Sequence, residues 1–69
     1  MELISIIVPC YNEQETLEDY YGEISIIRGQ LLQMECGLEV LFVDDGSEDQ
    51  TLKQMKKLAE ENPWIKYLS

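Results

Sequence analysis

The feature that most constrains this chain is a pair of short apolar runs, each ending in a polar cluster. The first run, LISIIV at residues 3–8, precedes PCYNE, and the second, LEVLFV at 38–43, precedes DDGS. Short apolar runs rich in β-branched residues are typical of strands that are covered on both faces. The segment WIKYLS at 64–69 follows Asn62-Pro63 and is predicted to be a third strand. We therefore expect three strands.

The segment between the first two strands has the periodicity of a helix of roughly 20 residues. Asn12, with Glu15 three residues later, has the pattern of a capping box at its start. Gly37 stands where a left-handed cap is expected at its end. The apolar residues that recur at spacings of three and four are Leu17, Tyr20, Tyr21, Ile24, Ile27, Leu31 and Met34.

A second helix is predicted to start at Asp49 or Gln50 and to end before Asn62-Pro63. Its order with the strands, β-α-β-α-β, favours right-handed crossovers and a parallel sheet. We predict an α/β fold with strand order 3-2-1 and both helices on one face. This is a three-stranded half of a Rossmann-like domain, occupying residues 1–69 as one domain. The predicted inner face of the second helix comprises Leu52, Met55, Leu58 and Ala59.

Composition excludes several functions. Fourteen acidic residues against five basic ones give a net charge of −9, so nucleic acid and anionic lipid are poor partners. There is no histidine, which excludes Ser-His-Asp and Cys-His nucleophile systems and, with only Cys10 and Cys36, disfavours zinc. The two cysteines are expected to be reduced. No stretch approaches a membrane span, and the N-terminus lacks the basic leader of a signal peptide.

The two polar clusters should meet, because the carboxyl ends of neighbouring parallel strands lie at one edge of a sheet. There Tyr11 offers a flat ring for stacking, and Asp45 offers a carboxylate that accepts an N–H from a nucleobase edge. Asp44, one position earlier, would point the other way and brace the loop or reach a ribose hydroxyl. The residues alone leave open a simpler interpretation, in which DDGS is only a turn and Asn12-Glu13 only a cap.

The motifs IIVPCYNEQETL and EVLFVDDGSEDQTL together resemble the N-terminus of the family 2 glycosyltransferases, whose fold is called GT-A. Among these the chain is most similar to polyisoprenyl-phosphate sugar transferases such as dolichol-phosphate mannose synthase. The resemblance implies that Ser47, Asp49 and Thr51 shape the turn and start the helix. It assigns the nucleotide-binding role to Pro9, Tyr11, Glu13, Asp44 and Asp45.

The same resemblance implies a reaction: a sugar passes from a UDP- or GDP-sugar to an acceptor, often a lipid phosphate at the cytoplasmic face of the membrane. Mg²⁺ or Mn²⁺ is implied for the full-length enzyme, held by an Asp-x-Asp motif beyond Ser69. We therefore expect no catalytic or metal-binding residue in these 69 residues. We expect no turnover by the isolated chain and only weak nucleotide affinity, since its negative charge repels a diphosphate.

Two other classes of function compete with this one. A half-sheet exposes the edge of its first strand, which predicts a non-catalytic assembly module that forms homo-oligomers through that edge. A receiver-like phosphoacceptor domain would instead place its acidic pair after the first strand and an acceptor aspartate after the third. Here the acidic pair follows the second strand, and Ser69 follows the third.

Overall fold

A computed structural model describes residues 2–69 of the chain. The three strands are all parallel and lie in the order β1-β2-β3, which is 3-2-1 when read from the opposite edge. The order of the elements agrees with the sequence prediction, and each strand contains or overlaps its predicted run. The elements are β1 (Glu2–Cys10), α1 (Leu17–Gln33), β2 (Cys36–Asp44), α2 (Thr51–Glu61) and β3 (Ile65–Leu68).

The register of β1 against β2 sets the position of both polar clusters. The two strands pair along all nine residues, from Glu2 opposite Cys36 to Cys10 opposite Asp44. The strands therefore end at the same level, and the chain leaves both of them side by side. The third strand is shorter and pairs with β2 only from Val40 to Val43.

Both helices pack on one face of the sheet. On β2 the even-numbered residues Leu38, Val40 and Phe42 are at most 3% exposed and belong to one core cluster. Because side chains alternate along a strand, these three point to the same face. The same cluster contains side chains of both helices and of the other strands: Cys10, Leu17, Ile24, Met55, Leu58 and Ile65.

The expectation that the apolar strands are covered on both faces was wrong. Leu3 and Ile7 of β1 are 62% and 68% exposed, and Leu68 of β3 is 58% exposed. Leu3 and Ile7 are odd-numbered, so they lie on the face opposite the helices. Both helices of this segment cross on the same side of the sheet and cover only that face. An apolar run alone does not reveal which of its faces the helices will cover.

The predicted capping box at the start of α1 does not form. The helix begins at Leu17 and its N-cap residue, Thr16, makes no side-chain cap. Asn12 instead has a positive φ of 51° and binds the loop after β2. The apolar face was also assigned too widely, since Ile27 and Met34 are 45% and 71% exposed. The local pattern assigned Asn12 to the helix start, but its tertiary hydrogen bonds to loop residues after β2 prevail over that local preference.

The left-handed residue after α1 is Glu35, with φ 60°, and not Gly37. Gly37 is buried within β2, so the strand starts two residues earlier than its apolar run. The inner face of α2 is as predicted: Met55 and Leu58 are buried, and Leu52 and Ala59 pack against the core.

The two cysteines are free and lie at opposite ends of the sheet. Cys10 is opposite Asp44 and Cys36 is opposite Glu2, and eight residues of strand separate these levels by about 26 Å. That separation excludes a disulfide between them in this fold. Burial raises the pKa of the Cys10 thiol, and the carboxylates of Glu13 and Asp44 raise it further. A thiol of raised pKa is a poor nucleophile at neutral pH.

Trp64 joins the turn before β3 to α1. Its ring stacks on Tyr21 with 6.3 Å between centroids, and the Arg28 guanidinium lies 5.0 Å from the indole ring. The Tyr21 hydroxyl donates to Asn62 Oδ1 at 3.1 Å. These contacts give Trp64 a packing role. Within residues 2–69, neither helix combines the length and apolar character that a membrane crossing requires.

Candidate functional site

The candidate site lies where the chain leaves β1 and β2. The Asp45 N–H donates to the Cys10 carbonyl oxygen at 2.9 Å, which extends the pairing of the two strands by one residue. Tyr11 follows Cys10 directly, so Tyr11 and Asp45 flank this hydrogen bond. Both side chains are exposed, Tyr11 to 54%. The structure therefore brings together the two residues that the sequence analysis placed at one rim.

The two consecutive aspartates have different surroundings. Asp44 is half-buried, and its Oδ1 accepts the Ser47 N–H at 3.2 Å across a turn in which Gly46 has φ 79°. That backbone conformation suits glycine, which has no Cβ to clash. Asp45 is exposed, and no donor among residues 2–69 reaches its carboxylate. Asp44 thus braces the loop, and the Asp45 carboxylate is open to solvent.

Pro9 and Glu13 line a small cavity between β1 and the start of α1. Its volume is about 240 Å³, which is below the range of roughly 300–1,000 Å³ for pockets that enclose a ligand. The Thr16 hydroxyl donates to Glu13 Oε2 at 2.8 Å. The Glu13 carboxylate is therefore held at the cavity wall by its own loop. The remaining lining residues are Val8, Cys10, Thr16, Leu17 and Tyr20.

A wider groove, of about 570 Å³, runs along the solvent side of α2. Lysine side chains Lys53, Lys56 and Lys57 form much of its wall. None of the five predicted binding residues contributes to it. The groove follows the surface of one helix and is separate from the rim.

Hydrogen bonds join the loop after β1 (loop 1, residues 11–16) to the loop after β2 (loop 2, residues 45–50). The Asn12 N–H donates to Ser47 Oγ at 3.0 Å, and Asn12 Oδ1 accepts the Glu48 N–H at 2.9 Å. Gln14 Oε1 accepts the Gln50 N–H at 3.0 Å. Asn12 and Gln14 therefore each satisfy a backbone donor of loop 2.

Thr51, the first residue of α2, completes the connection. It is fully buried, and its Oγ1 accepts the Glu13 N–H at 2.7 Å. Its hydroxyl and its N–H both donate to Asp49 Oδ1, while Asp49 Oδ2 accepts the Gln14 N–H at 3.4 Å. The bonds from the Glu13 and Gln14 N–H groups thus link Thr51 and Asp49 to the segment that leads into α1, and the two bonds from Thr51 to Asp49 join these acceptors to each other.

These contacts determine the ionisation of Asp49. Partial desolvation opposes the charged form, but the hydrogen bonds from Thr51 and from the Gln14 N–H outweigh it. The pKa of Asp49 therefore lies below its ordinary value. The carboxylate is ionised at neutral pH and is a charge-assisted acceptor for both loops.

Sequence reasoning assigned Ser47, Asp49 and Thr51 to the turn and the helix start, and it missed that they bind loop 1. It also missed Gln14 and the role of Asn12. The pairing of β1 with β2 could have indicated these contacts, because loops that leave two neighbouring strands at the same level lie side by side. To predict which residues of the two loops bind each other, the register of β1 against β2 is also needed, and the apolar runs do not specify that register to within one residue.

A site for a divalent cation would have to be formed by the acidic side chains of this chain. Among residues 2–69 no group of three Asp, Glu or Cys side chains converges closely enough to hold a metal ion. Asp44 already accepts a loop N–H, and Asp49 is engaged by Thr51 and Gln14. These residues do not by themselves form a site for the Mg²⁺ or Mn²⁺ that the resemblance implies.

A parallel α/β sheet with polar loops at the carboxyl ends of its strands is typical of ligand-binding domains. Residues 5–69 match glycosyl transferase family 2, and the chain belongs to that family. The whole of both loops and all five predicted binding residues lie within the matched region.

Curated relatives agree with this assignment. The chain is 36% identical over 67 residues to CsbB, a putative glycosyltransferase of Bacillus subtilis, covering 97% of this chain and 20% of the relative. It is 33% identical over 66 residues to an uncharacterized glycosyltransferase of Synechocystis, covering 96% and 20%. A poly-beta-1,6-N-acetyl-D-glucosamine synthase of Staphylococcus aureus is 31% identical over 65 residues, covering 94% and 14%. The chain thus spans a fifth or less of the length of these relatives.

Proposed function

We propose that this segment binds the nucleoside of a nucleotide-sugar donor, UDP- or GDP-linked, for a glycosyltransferase of GT-A fold. The observation that carries the proposal is the rim at which the Asp45 N–H binds the Cys10 carbonyl, with Tyr11 and the Asp45 carboxylate exposed on either side. In the whole protein a hexose would pass to an acceptor. The resemblance of the motifs favours a polyisoprenyl phosphate at the cytoplasmic membrane face.

The chemistry of the two side chains supports recognition of a base. Stacking of a base on an aromatic ring is worth about 1–3 kcal/mol, and a hydrogen bond to a charged group about 1.5–3 kcal/mol. Uracil and guanine both present a ring N–H that a carboxylate such as Asp45 can accept. Pro9, Glu13 and Asp44 shape the rim, because each is fixed by the strand end or by its own loop.

The net charge limits how tightly this chain binds a diphosphate. Fourteen acidic residues against five basic ones repel it, and the described residues offer no metal site to offset that repulsion. We therefore expect dissociation constants in about the millimolar range, near −4 kcal/mol. Uridine, which carries no phosphate, is expected to bind at least as well as UDP.

We predict that titration of the ¹⁵N-labelled chain with UDP, GDP and uridine shifts the amide signals of Tyr11 and Asp45 in NMR spectra. Tyr11→Ala and Asp45→Asn should each weaken binding by about tenfold, the effect of about 1.4 kcal/mol. Cytidine should bind more weakly than uridine, since its N3 lacks the proton that Asp45 accepts. In Asp45→Asn this difference between the two nucleosides should shrink.

Matched controls lie elsewhere on the surface. Tyr67→Ala removes an exposed tyrosine of β3, and Asp19→Asn removes an exposed carboxylate of α1. Neither should change affinity by more than about twofold, the scale of ordinary surface substitutions. Shifts that spread over the lysine groove of α2 while Tyr11 and Asp45 stay unmoved would contradict the proposal.

Self-association through β1 is a second candidate, favoured by the position of that strand. It forms one edge of the sheet, is nine residues long, and exposes Leu3 and Ile7. Long apolar edges pair with other chains, and a lysine on such an edge prevents pairing. This property is compatible with donor binding, because the rim lies at the end of the strand.

If β1 pairs with a second copy, Ile7→Lys should convert a dimer to a monomer in light scattering. Ile26→Lys provides the matched control, since Ile26 is 66% exposed on α1 and lies away from the edge. It should leave the dimer intact. A wild-type chain that is monomeric at millimolar concentration would rule this candidate out.

A further inference from the structure

The contacts between loop 1 and loop 2 form one structural unit, which we call the loop clamp: Asn12, Glu13 and Gln14 with Ser47, Glu48, Asp49, Gln50 and Thr51. Tyr11 directly precedes the first of these residues, and Asp45 lies two positions before Ser47. The clamp therefore starts at the two side chains of the proposed rim. It holds the loops together at three successive residues of loop 1.

We infer that Thr51 and Asn12 are positioning residues that fix the separation of Tyr11 and Asp45 and so preorganise the rim for a nucleoside. This inference rests on the proposed function. Neither residue needs to contact the ligand, because each acts through the backbone of the loops. Thr51 holds Glu13, and Asn12 holds Ser47 and Glu48.

The burial of Thr51 supports this role. It is 0% exposed, the one buried polar side chain among residues 2–69. Its hydroxyl accepts from Glu13 and donates to Asp49, so both hydrogen-bonding functions are used. A valine of nearly the same shape would fill the space and lose both bonds. A buried hydroxyl that links two loops at the ligand-binding edge of a sheet therefore orders them.

The conformation of Asn12 supports the role independently. Its φ of 51° lies in the left-handed region, which asparagine tolerates better than most residues. In this conformation its N–H and its side-chain oxygen both reach loop 2. Asn12 also turns the chain immediately after Tyr11.

The central test compares Thr51→Val with Thr51→Ser by NMR titration with UDP and uridine. Thr51→Val should bind both ligands about tenfold more weakly, because loop 1 is no longer held by the Thr51 hydroxyl and must become ordered when the ligand binds. Thr51→Ser keeps the hydroxyl and both of its hydrogen bonds, so it should bind within about twofold of wild type. A purely structural role would lower the melting temperature and leave the affinity of the folded chain unchanged.

Asn12→Gly keeps the inference testable if Thr51→Val does not fold. Glycine adopts the same positive φ without strain and removes only the side-chain bond to the Glu48 N–H. Asn12 is exposed, so the fold should persist. Affinity should again fall by about tenfold through the same loss of preorganisation. An unchanged affinity in Asn12→Gly, or in folded Thr51→Val, would overturn the inference for that residue.

A ligand-free measurement separates this inference from the proposed function. Nuclear Overhauser contacts between the backbone protons of Tyr11 and Asp45, whose N–H binds the Cys10 carbonyl, should be present in the wild-type chain and lost in Thr51→Val and Asn12→Gly. If wild-type protein shows these contacts but no response to any nucleoside, the proposed function is wrong and the clamp still fixes the rim. If the contacts persist in both variants, the clamp does not position these residues.

Discussion

Phe42→Ala should strongly lower the urea midpoint of unfolding. Phe42 is 0% exposed in the middle of β2, beneath the helices, and its ring meets Tyr20 of α1 edge-to-face at 6.1 Å. Truncating a buried phenylalanine costs about 3–5 kcal/mol through lost transfer energy and the cavity that remains. A 69-residue domain has only about 3–10 kcal/mol of stability in total. The substitution therefore removes between about a third and all of that stability.

The measurement is urea unfolding followed by far-ultraviolet circular dichroism. Leu41→Ala is the matched control, because Leu41 is the preceding residue of β2 and lies on the half-exposed face opposite the helices. Its midpoint should fall much less than that of Phe42→Ala. Equal losses would mean that both faces of β2 are buried in solution, as a dimer or a further segment packed on the sheet would cause.

The comparison of these two residues shows what the sequence could and could not predict. The runs at 3–8 and 38–43 identified the strands, because β-branched and aromatic residues in succession favour a pleated, buried conformation. They did not distinguish Phe42 from Leu41, since both residues are apolar. Which face is covered depends on the side to which both helices cross, and that is a property of the whole chain.

In the polar loops, too, one feature could be predicted from the sequence and another could not. The meeting of Tyr11 and Asp45 at one rim followed from strand order alone, and the structure has it. Asn12 was expected to cap α1 and binds loop 2 instead. The sequence pattern did not show this, because its partners lie 35 and 36 residues away in sequence. Local patterns such as a capping box compete with tertiary hydrogen bonds that a single sequence does not display.

Leu17→Ala is the second substitution with a large expected effect, and it connects the core with the site. Leu17 is the first residue of α1 and is 2% exposed. Its side chain belongs to the core cluster, and its N–H donates to the Glu13 carbonyl at 2.9 Å. Truncation should cost about 2–5 kcal/mol. It also frees the start of the helix, to which loop 1 is attached.

Leu32→Ala is the control for Leu17→Ala because it removes the same atoms from the same helix, at a side chain that is 40% exposed. It should change stability by about 0.5 kcal/mol or less, as surface substitutions do. Urea unfolding measures both variants, and hydrogen exchange of the Glu13 amide measures the loop. In Leu17→Ala this amide should exchange faster even well below the unfolding midpoint, since a loosened helix start releases the segment that Thr51 holds. If that amide stays protected while global stability falls, loop 1 is held by loop 2 alone, and the core supports the rim only by keeping the chain folded.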